Sequence, residues 1–221
     1  MTKVLIGFRQ QKEPHVGKIN DGLYSSESHD WLTPPELVNA LLAFEGRAEF
    51  DLDPCCSERN IPADMRYAHP EHNGLALPWS GVLTNYSPLV WVNPPYGNLL
   101  AKFMAKMAEE AEKGARIWAI VPARTETRYQ HEHGLVKAGF TVFMKKRICF
   151  LRPGFDAPTA PTANAPFPTM LLYYGDDWAE KAVRWEFEPA WPGSLMICGT
   201  EGRALELAQA YDDFYRIESV A

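Results

Sequence analysis

The sequence lacks a long apolar run, a surplus of positive charge and a recognisable targeting segment. No uninterrupted apolar stretch approaches the ~18 residues that a membrane-spanning helix needs. The segment from Met1 to Gln10 has too short an apolar core for a signal peptide. We therefore expect a cytoplasmic protein with no membrane partner.

Positive charge is scarce for a protein that would bind nucleic acid indiscriminately. The 22 Lys and Arg residues are outnumbered by 28 Asp and Glu residues, so the formal net charge is −6. Because non-specific nucleic-acid binders are usually basic, this class of protein is disfavoured. The net charge does not exclude a local basic surface on an otherwise acidic protein.

Cysteine is also scarce, and its spacing fits neither a disulfide framework nor a metal site. There is no C-x-x-C pair, and two of the four cysteines are adjacent, so they cannot easily bridge each other. The pair His69 and His72 does not complete a structural zinc pattern. We expect free thiols in a reducing compartment and no bound metal. The cysteines are Cys55, Cys56, Cys149 and Cys198.

Length and composition indicate one globular α/β domain. The chain has 221 residues, of which 46% are hydrophobic and 23% charged, values that suit a single domain with a full core. Residues 1–29 show no periodicity, and we expect them to form a poorly ordered N-terminal arm. Residues 30–221 are expected to form the domain, with a short C-terminal strand and helix as an extension.

A strand–helix–strand pattern indicates that part of the sheet is parallel. An apolar strand ends at Val92, an amphipathic helix runs from about Leu99 to Gly114, and a buried strand covers 116–121. This order is a βαβ unit, in which the two strands run parallel. No strand–helix pair is predicted for residues 58–80. Further predicted elements are a helix capped by Thr33 and ended by Gly46, a strand over 48–57, a helix from Thr125 or Thr127 to about Ala138, strands over 140–150, 168–174 and 195–198, and a helix over about 202–215.

The turn after the first strand of this unit, Asn93-Pro94-Pro95-Tyr96, carries the strongest functional signal. The Asn93 side chain and the Pro94 carbonyl offer two neutral acceptors, and proline holds the turn rigid without adding a donor. Tyr96 offers a flat face to a planar ring. Two acceptors and a stacking face suit an aromatic or amide –NH₂ group, and accepting both of its hydrogens makes the nitrogen more nucleophilic. The alternative is a rigid turn whose tyrosine packs in the core.

Two earlier segments are candidates for the walls of a pocket. Asp53 stands at the carboxyl end of a short strand, where its carboxylate can accept a hydrogen bond from an amino group, and small residues follow it. Trp31 and Thr33 precede the first predicted helix. The alternatives are an aspartate in a turn before proline and a simple helix cap.

The order of these three segments resembles phage-type DNA N6-adenine methyltransferases, a branch of the DNA adenine methylase-like family. The resemblance covers about residues 30–175. It is carried by Trp31-Leu32-Thr33-Pro34, Asp51-Leu52-Asp53-Pro54-Cys55-Cys56 and Asn93-Pro94-Pro95-Tyr96, with further matches at Asn73-Gly74-Leu75, Trp79, Val121 to Thr125 and Arg147 to Phe150. It implies a Rossmann-like methyltransferase fold dependent on S-adenosylmethionine, with a mostly parallel seven-stranded sheet and helices on both faces.

The resemblance also implies roles for individual residues. Asn93, Pro94, Pro95 and Tyr96 would be catalytic, and Asn93 with the Pro94 carbonyl would hold N6 of a flipped-out adenine while Tyr96 stacks on it. The cofactor would be bound by Trp31, Thr33, Pro34, Asp53, Pro54, Cys55 and Asn93. The candidate DNA contacts are Arg124, Thr125, Arg128, Lys146 and Arg147, together with Lys145 and Arg152.

The pattern leaves alternatives open. The same turn would serve RNA adenine or a protein glutamine amide, and a catalytically silent module that binds cofactor or DNA is a third possibility. The glycines usual after Asp-Pro in the family are replaced here by Cys55, Cys56 and Ser57. The interval from Asp53 to Asn93 is short, so neither the adenosine half of the cofactor site nor a target-reading segment is defined. By resemblance we expect a monomer or weak dimer, in the host cytoplasm if phage-encoded, that protects DNA from restriction.

Overall fold

A computed structural model describes residues 31–57, 59–68, 73–81, 87–151, 162–199 and 203–218. The predicted arm over 1–29, His69, His72 and Arg152 lie outside the described residues. None of the described helices is both long and apolar enough to cross a membrane. All four cysteines are described, and none forms a disulfide.

The helices are α1 (Pro35–Glu45), α2 (Leu100–Glu112), α3 (Trp178–Phe187) and α4 (Arg203–Glu218). The strands are β1 (Phe50–Cys56), β2 (Ala63–Ala68), β3 (Leu89–Val92), β4 (Arg116–Pro122), β5 (Phe140–Met144), β6 (Cys149–Leu151), β7 (Thr162–Asn164), β8 (Thr169–Tyr174) and β9 (Gly193–Ile197).

Seven of the described strands form one mixed sheet in the order β2-β1-β3-β4-β8-β5-β9, and β6 and β7 form a separate pair. The first four strands run parallel. The pairs β4–β8, β8–β5 and β5–β9 are antiparallel. Seven strands agree with the expected sheet, but the prediction of a mostly parallel sheet is wrong. A parallel pair needs a crossover connection, and the described residues between β5 and β8 hold the β6–β7 pair and no helix.

Helices cover both faces of the sheet, as predicted. On one face, α1 and α3 pack on strand residues that include Trp91, Trp118 and Tyr173. On the other face, α2 packs on residues that include Val90, Ala119 and Leu172. The parallel strands β3 and β4 are therefore buried from both sides, which explains their continuous apolar sequences.

Several elements match the sequence prediction. The unit β3–α2–β4 is present with β3 and β4 parallel. Helix α1 ends at Gly46, whose φ of 65° is in the left-handed region that glycine adopts without strain. Strands β8 and β9 and helix α4 lie close to their predicted positions.

Other predicted elements are wrong for local reasons. The helix expected to reach about Ala138 is a short π-helical turn, Gln130–Gly134. The Thr127 hydroxyl donates to the Arg124 carbonyl at 2.7 Å and closes a turn there, where capping a helix would need it to accept from a backbone N–H. The strand expected over 140–150 divides into β5 and β6, because consecutive exposed basic residues at 145–147 interrupt it. Strand β2 and helix α3 were not predicted.

The sheet brings the candidate segments to one edge. Strands β1, β3 and β4 are parallel, so the segments after each of them leave the sheet at the same side. Strand β5 also ends there, since β4 and β5 are both antiparallel to β8. The segments 123–128 and 145–147 therefore leave the edge that carries Asn93. In open α/β sheets, ligands bind beyond this edge.

Candidate functional site

A cavity of about 410 Å³ lies at the carboxyl ends of β1 and β3. Three segments far apart in sequence line it together: the chain before α1, the end of β1 and the turn after β3. The sequence-predicted residues in its wall are Trp31, Thr33, Asp53, Pro54, Cys55, Asn93, Pro94 and Pro95. Pro34 is buried beside the cavity as the residue that precedes α1, but it does not line it.

The amide of Asn93 has a defined orientation. Its nitrogen Nδ2 donates to the carbonyl of Trp31 and, at 3.2 Å, to Oγ1 of Thr33. A primary amide has two hydrogens on nitrogen, and both have acceptors here. Among the residues that the structure describes, none donates to the oxygen Oδ1, so this is the polar atom of the side chain that is left for a ligand in the cavity.

The Thr33 hydroxyl does not cap α1. The N-cap residue is Pro34, which makes no side-chain capping bond, and Pro35 is the first helical residue. Thr33 is 1% exposed, and its hydroxyl is turned toward Asn93. The predicted cap is wrong because this hydroxyl serves the neighbouring turn, while proline at the first helical position leaves one fewer backbone donor to satisfy.

The carboxyl group of Asp53 is almost completely enclosed, with 3% of the residue exposed. Burial raises the pKa of Asp53 to about 7, although the Cys55 N–H, which donates to it at 3.0 Å, and the Arg66 charge both lower it. A buried carboxyl group with so high a pKa is a ready partner for a ligand cation, since a positive charge beside it favours its ionised form.

Tyr96 lies behind the cavity wall. Its ring packs edge to face on Phe150 and Phe167, with centroids 6.3 and 5.4 Å away. The hydroxyl is 3.4 Å from the Ile120 carbonyl, and burial raises its pKa well above the usual range. The structure thus places Tyr96 next to the turn but not among the residues that line the cavity. Its stacking role stays a prediction.

One wall of the cavity was not identified from the sequence. Asn73, Gly74 and Leu75 line it beside the end of β1, together with Asn60 and Tyr67. A Cβ at Gly74 would lie 2.0 Å from the carbonyl oxygen of Pro54, so the two backbones approach as closely as only glycine permits. The resemblance noted Asn73-Gly74-Leu75 as a family match, but it gave these residues no place in the cavity, because β2 was not predicted. Further lining residues are Leu32, Cys56, Ser57, Ile61, Trp91, Leu99 and Phe103.

The predicted DNA-contacting residues lie outside the cavity, on the two segments that leave the same sheet edge. Arg124, Thr125 and Lys146 are exposed. Arg128 is paired with Glu132 at 2.6 Å, and Arg147 donates to the Ala165 carbonyl at 2.7 Å. Their role in DNA binding stays a prediction. In the described part of the chain, no cluster of side chains suits a metal ion.

Comparison with known proteins gives the family. A family model described as DNA N-6-adenine-methyltransferase (Dam) matches residues 22–182, which include every cavity residue named above. A comparison with curated proteins gave no match. Because the family model spans most of the chain, this protein belongs to the DNA N-6-adenine-methyltransferase (Dam) family.

Proposed function

We propose that this protein transfers a methyl group from S-adenosylmethionine to N6 of an adenine that is turned out of the DNA stack. The family match implies a DNA adenine methyltransferase. The observation that carries the finer proposal is the Asn93 amide, whose Nδ2 is engaged by Trp31 and Thr33 while Oδ1 is left for the cavity.

The cavity residues fit the methionyl part of this cofactor. A volume of about 410 Å³ is within the usual range of small-molecule sites. Asp53 would accept the amino group, which as an ammonium would stabilise the ionised carboxylate. Trp31, Thr33 and Pro54 would form the surrounding walls. When bound, the cofactor supplies a methyl group made electrophilic by a positively charged sulfur.

The protein's own contribution to the reaction is electrostatic. Oδ1 of Asn93 and the carbonyl of Pro94 would accept the two N6 hydrogens of adenine. These acceptors become more favourable as positive charge develops on nitrogen, so they stabilise the transition state more than the bound substrate. Neither group is a base, so the proton released after transfer leaves to water.

A base inside a duplex cannot present N6 to this site. Asn93 is half-buried in the cavity wall, and N6 of a paired adenine is hydrogen-bonded to its partner. Turning the base out of the stack resolves both problems.

In this proposal the DNA backbone is contacted at the same sheet edge by Arg124, Thr125, Arg128, Lys146 and Arg147. Tyr96 would stack on the base after a rearrangement of its contacts with Phe150 and Phe167.

Incubation with methyl-labelled S-adenosylmethionine tests the proposed reaction. Duplex DNA, single-stranded DNA, RNA and a glutamine-containing protein are offered in parallel, digested and separated. We expect label in N6-methyladenine from DNA. Label confined to RNA or to glutamine would contradict the substrate. A protein that transfers no label and shows no calorimetric binding of S-adenosylhomocysteine would contradict the enzyme itself.

A further inference from the structure

We propose that the Thr33 hydroxyl and the Trp31 carbonyl are positioning groups that set which way the Asn93 amide faces. This inference rests on the proposed function, because it concerns the acceptor offered to the substrate amine. Both groups meet the same nitrogen: Nδ2 of Asn93 donates to the Trp31 carbonyl and, at 3.2 Å, to Oγ1 of Thr33.

An amide can occupy the same space in two orientations that differ by a half-turn. In the observed orientation, two acceptors face the –NH₂ group. In the reversed orientation, Oδ1 would face the Trp31 carbonyl with no hydrogen between them, and the –NH₂ group would face the cavity. A donor there would oppose the N6 hydrogens of adenine instead of accepting them. The Trp31 carbonyl, which can only accept, therefore selects the reactive orientation, and the Thr33 hydroxyl adds a second bond that holds the amide there.

The segment that carries these two groups is itself held on both sides. Leu32 forms a two-bond β-bridge with Leu151, at 3.2 and 2.9 Å. Nδ2 of Asn60 donates to the Thr33 carbonyl at 3.3 Å. The Trp31 ring packs edge to face on Phe150, with centroids 5.7 Å apart.

These contacts make the support of Asn93 rigid before a substrate arrives. Thr33 is 1% exposed, so water does not compete for its hydroxyl. An acceptor that is already oriented needs no reorganisation during reaction, and such preorganisation is a large part of electrostatic catalysis. Removing one orienting bond should therefore lower turnover more than it lowers substrate binding.

The test compares Thr33→Val, which keeps the side-chain shape, with Thr33→Ser, which keeps the hydroxyl. Thr141→Val is the matched control, because Thr141 is also buried and its hydroxyl donates to the Leu171 carbonyl at 2.8 Å, between β5 and β8 and away from the cavity. We expect Thr33→Val to lower kcat about 10- to 100-fold. KM for DNA and the affinity for S-adenosylhomocysteine should change by no more than about 3-fold. Thr33→Ser should recover most of the rate, and Thr141→Val should retain it. Equal losses in both Thr33 variants, or a change confined to KM, would overturn the inference.

A second readout does not depend on activity. The side-chain –NH₂ signal of Asn93 is identified in an ¹⁵N-correlated NMR spectrum by its disappearance in Asn93→Asp. Thr33→Val should shift one of its two protons upfield, because that proton loses its acceptor, and Thr33→Ser should restore the shift. If the wild-type protein transfers no methyl group, the proposed function fails, while this shift still supports the positioning role and its absence overturns it.

Discussion

Asn93 acts in two directions, because its nitrogen serves the protein and its oxygen serves the cavity. Its Nδ2 donates to the Trp31 carbonyl and to Thr33. An Asn93→Asp variant keeps an acceptor toward the cavity but places a carboxylate oxygen against that carbonyl. We expect kcat to fall at least ~10-fold, since one unpaired polar contact at a buried site costs about 1–3 kcal/mol.

The comparison variant is Asn98→Asp, an exposed residue in the turn before α2. It changes the net charge equally and should retain the wild-type kcat. Near-wild-type turnover of Asn93→Asp would show that the donor function of this residue is dispensable.

Asp53 makes stability depend on pH in a defined direction. Burial raises its pKa from 3.8 to about 7, so between these values the folded protein holds a proton that the unfolded chain has lost. Its stabilising contribution is full below about pH 4 and is lost as the pH rises through about 7, a change of about 4 kcal/mol. We expect Asp53→Asn to exceed the wild-type free energy of unfolding at pH 8 and to match it near pH 4. Urea titrations of both proteins at both pH values measure these free energies of unfolding. If the difference between Asp53→Asn and the wild type is the same at pH 4 and pH 8, the raised pKa is contradicted. Asp53→Asn should also weaken S-adenosylhomocysteine binding.

At the level of elements, a carboxylate of α2 fixes the cavity wall formed by residues 73–75. Glu110 is fully buried, and its Oε2 accepts from the Trp79 and Ser80 backbone N–H groups at 3.0 and 2.9 Å. The Trp79 indole donates in turn to the Gly74 carbonyl at 2.8 Å. The turn that contacts Pro54 is thereby tied to the helix that follows the Asn93 turn.

Because these hydrogen bonds connect α2 to the cavity wall, a substitution at Glu110 should lower both the stability of the protein and its affinity for the cofactor. Burial alone would raise the pKa of Glu110, but hydrogen bonds led by those from Lys106 and Ser80 hold it at about 2. In Glu110→Gln, an –NH₂ group would face the Lys106 ammonium that Oε1 now accepts from at 2.7 Å. We expect a loss of about 1–3 kcal/mol in urea unfolding and weaker calorimetric binding of S-adenosylhomocysteine. Glu109→Gln, on the exposed side of the same helix, should change neither. Equal behaviour of the two variants would show that the tie has no role in the cavity.

The elements also show how far local sequence could lead. The βαβ unit was predictable because its strands are almost entirely apolar, with Arg116 at the start of β4 as the exception, and its helix is amphipathic. Strand β2 was not predictable, because its sequence is half polar and, among the described strands, it pairs only with β1. Helix α3 follows β8 closely, and its aromatic residues are packed by tertiary contacts that no local pattern reveals. In the site, the acceptor role of Asn93 followed from its turn, whereas the Trp31 and Thr33 contacts join residues about 60 positions apart.

At the scale of the whole molecule, a net charge of −6 must be reconciled with a DNA substrate. The candidate contacts lie at one sheet edge, and Arg124 and Lys146 are exposed there. Each phosphate contact releases counterions, so DNA affinity should fall steeply with salt. Arg124→Ala and Lys146→Ala should each weaken binding and reduce the slope of log affinity against log salt by about one. Lys137→Ala, on the segment that enters β5 at the opposite edge, should leave the slope unchanged. If the salt dependence has the same slope in all three variants, the DNA does not bind at the sheet edge that carries Arg124 and Lys146.

The central claim is that the fixed oxygen of Asn93 makes an unreactive adenine amine able to accept a methyl group. The most direct measurement is the single-turnover rate of N6-methyladenine formation in DNA by the wild-type protein and Asn93→Ala, with S-adenosylhomocysteine affinity measured on both. We predict that the rate falls at least ~100-fold in Asn93→Ala, far more than that affinity falls, because Asn93 is one of several residues that line the cofactor cavity. A wild-type rate that Asn93→Ala retains, with cofactor still bound, would contradict the claim.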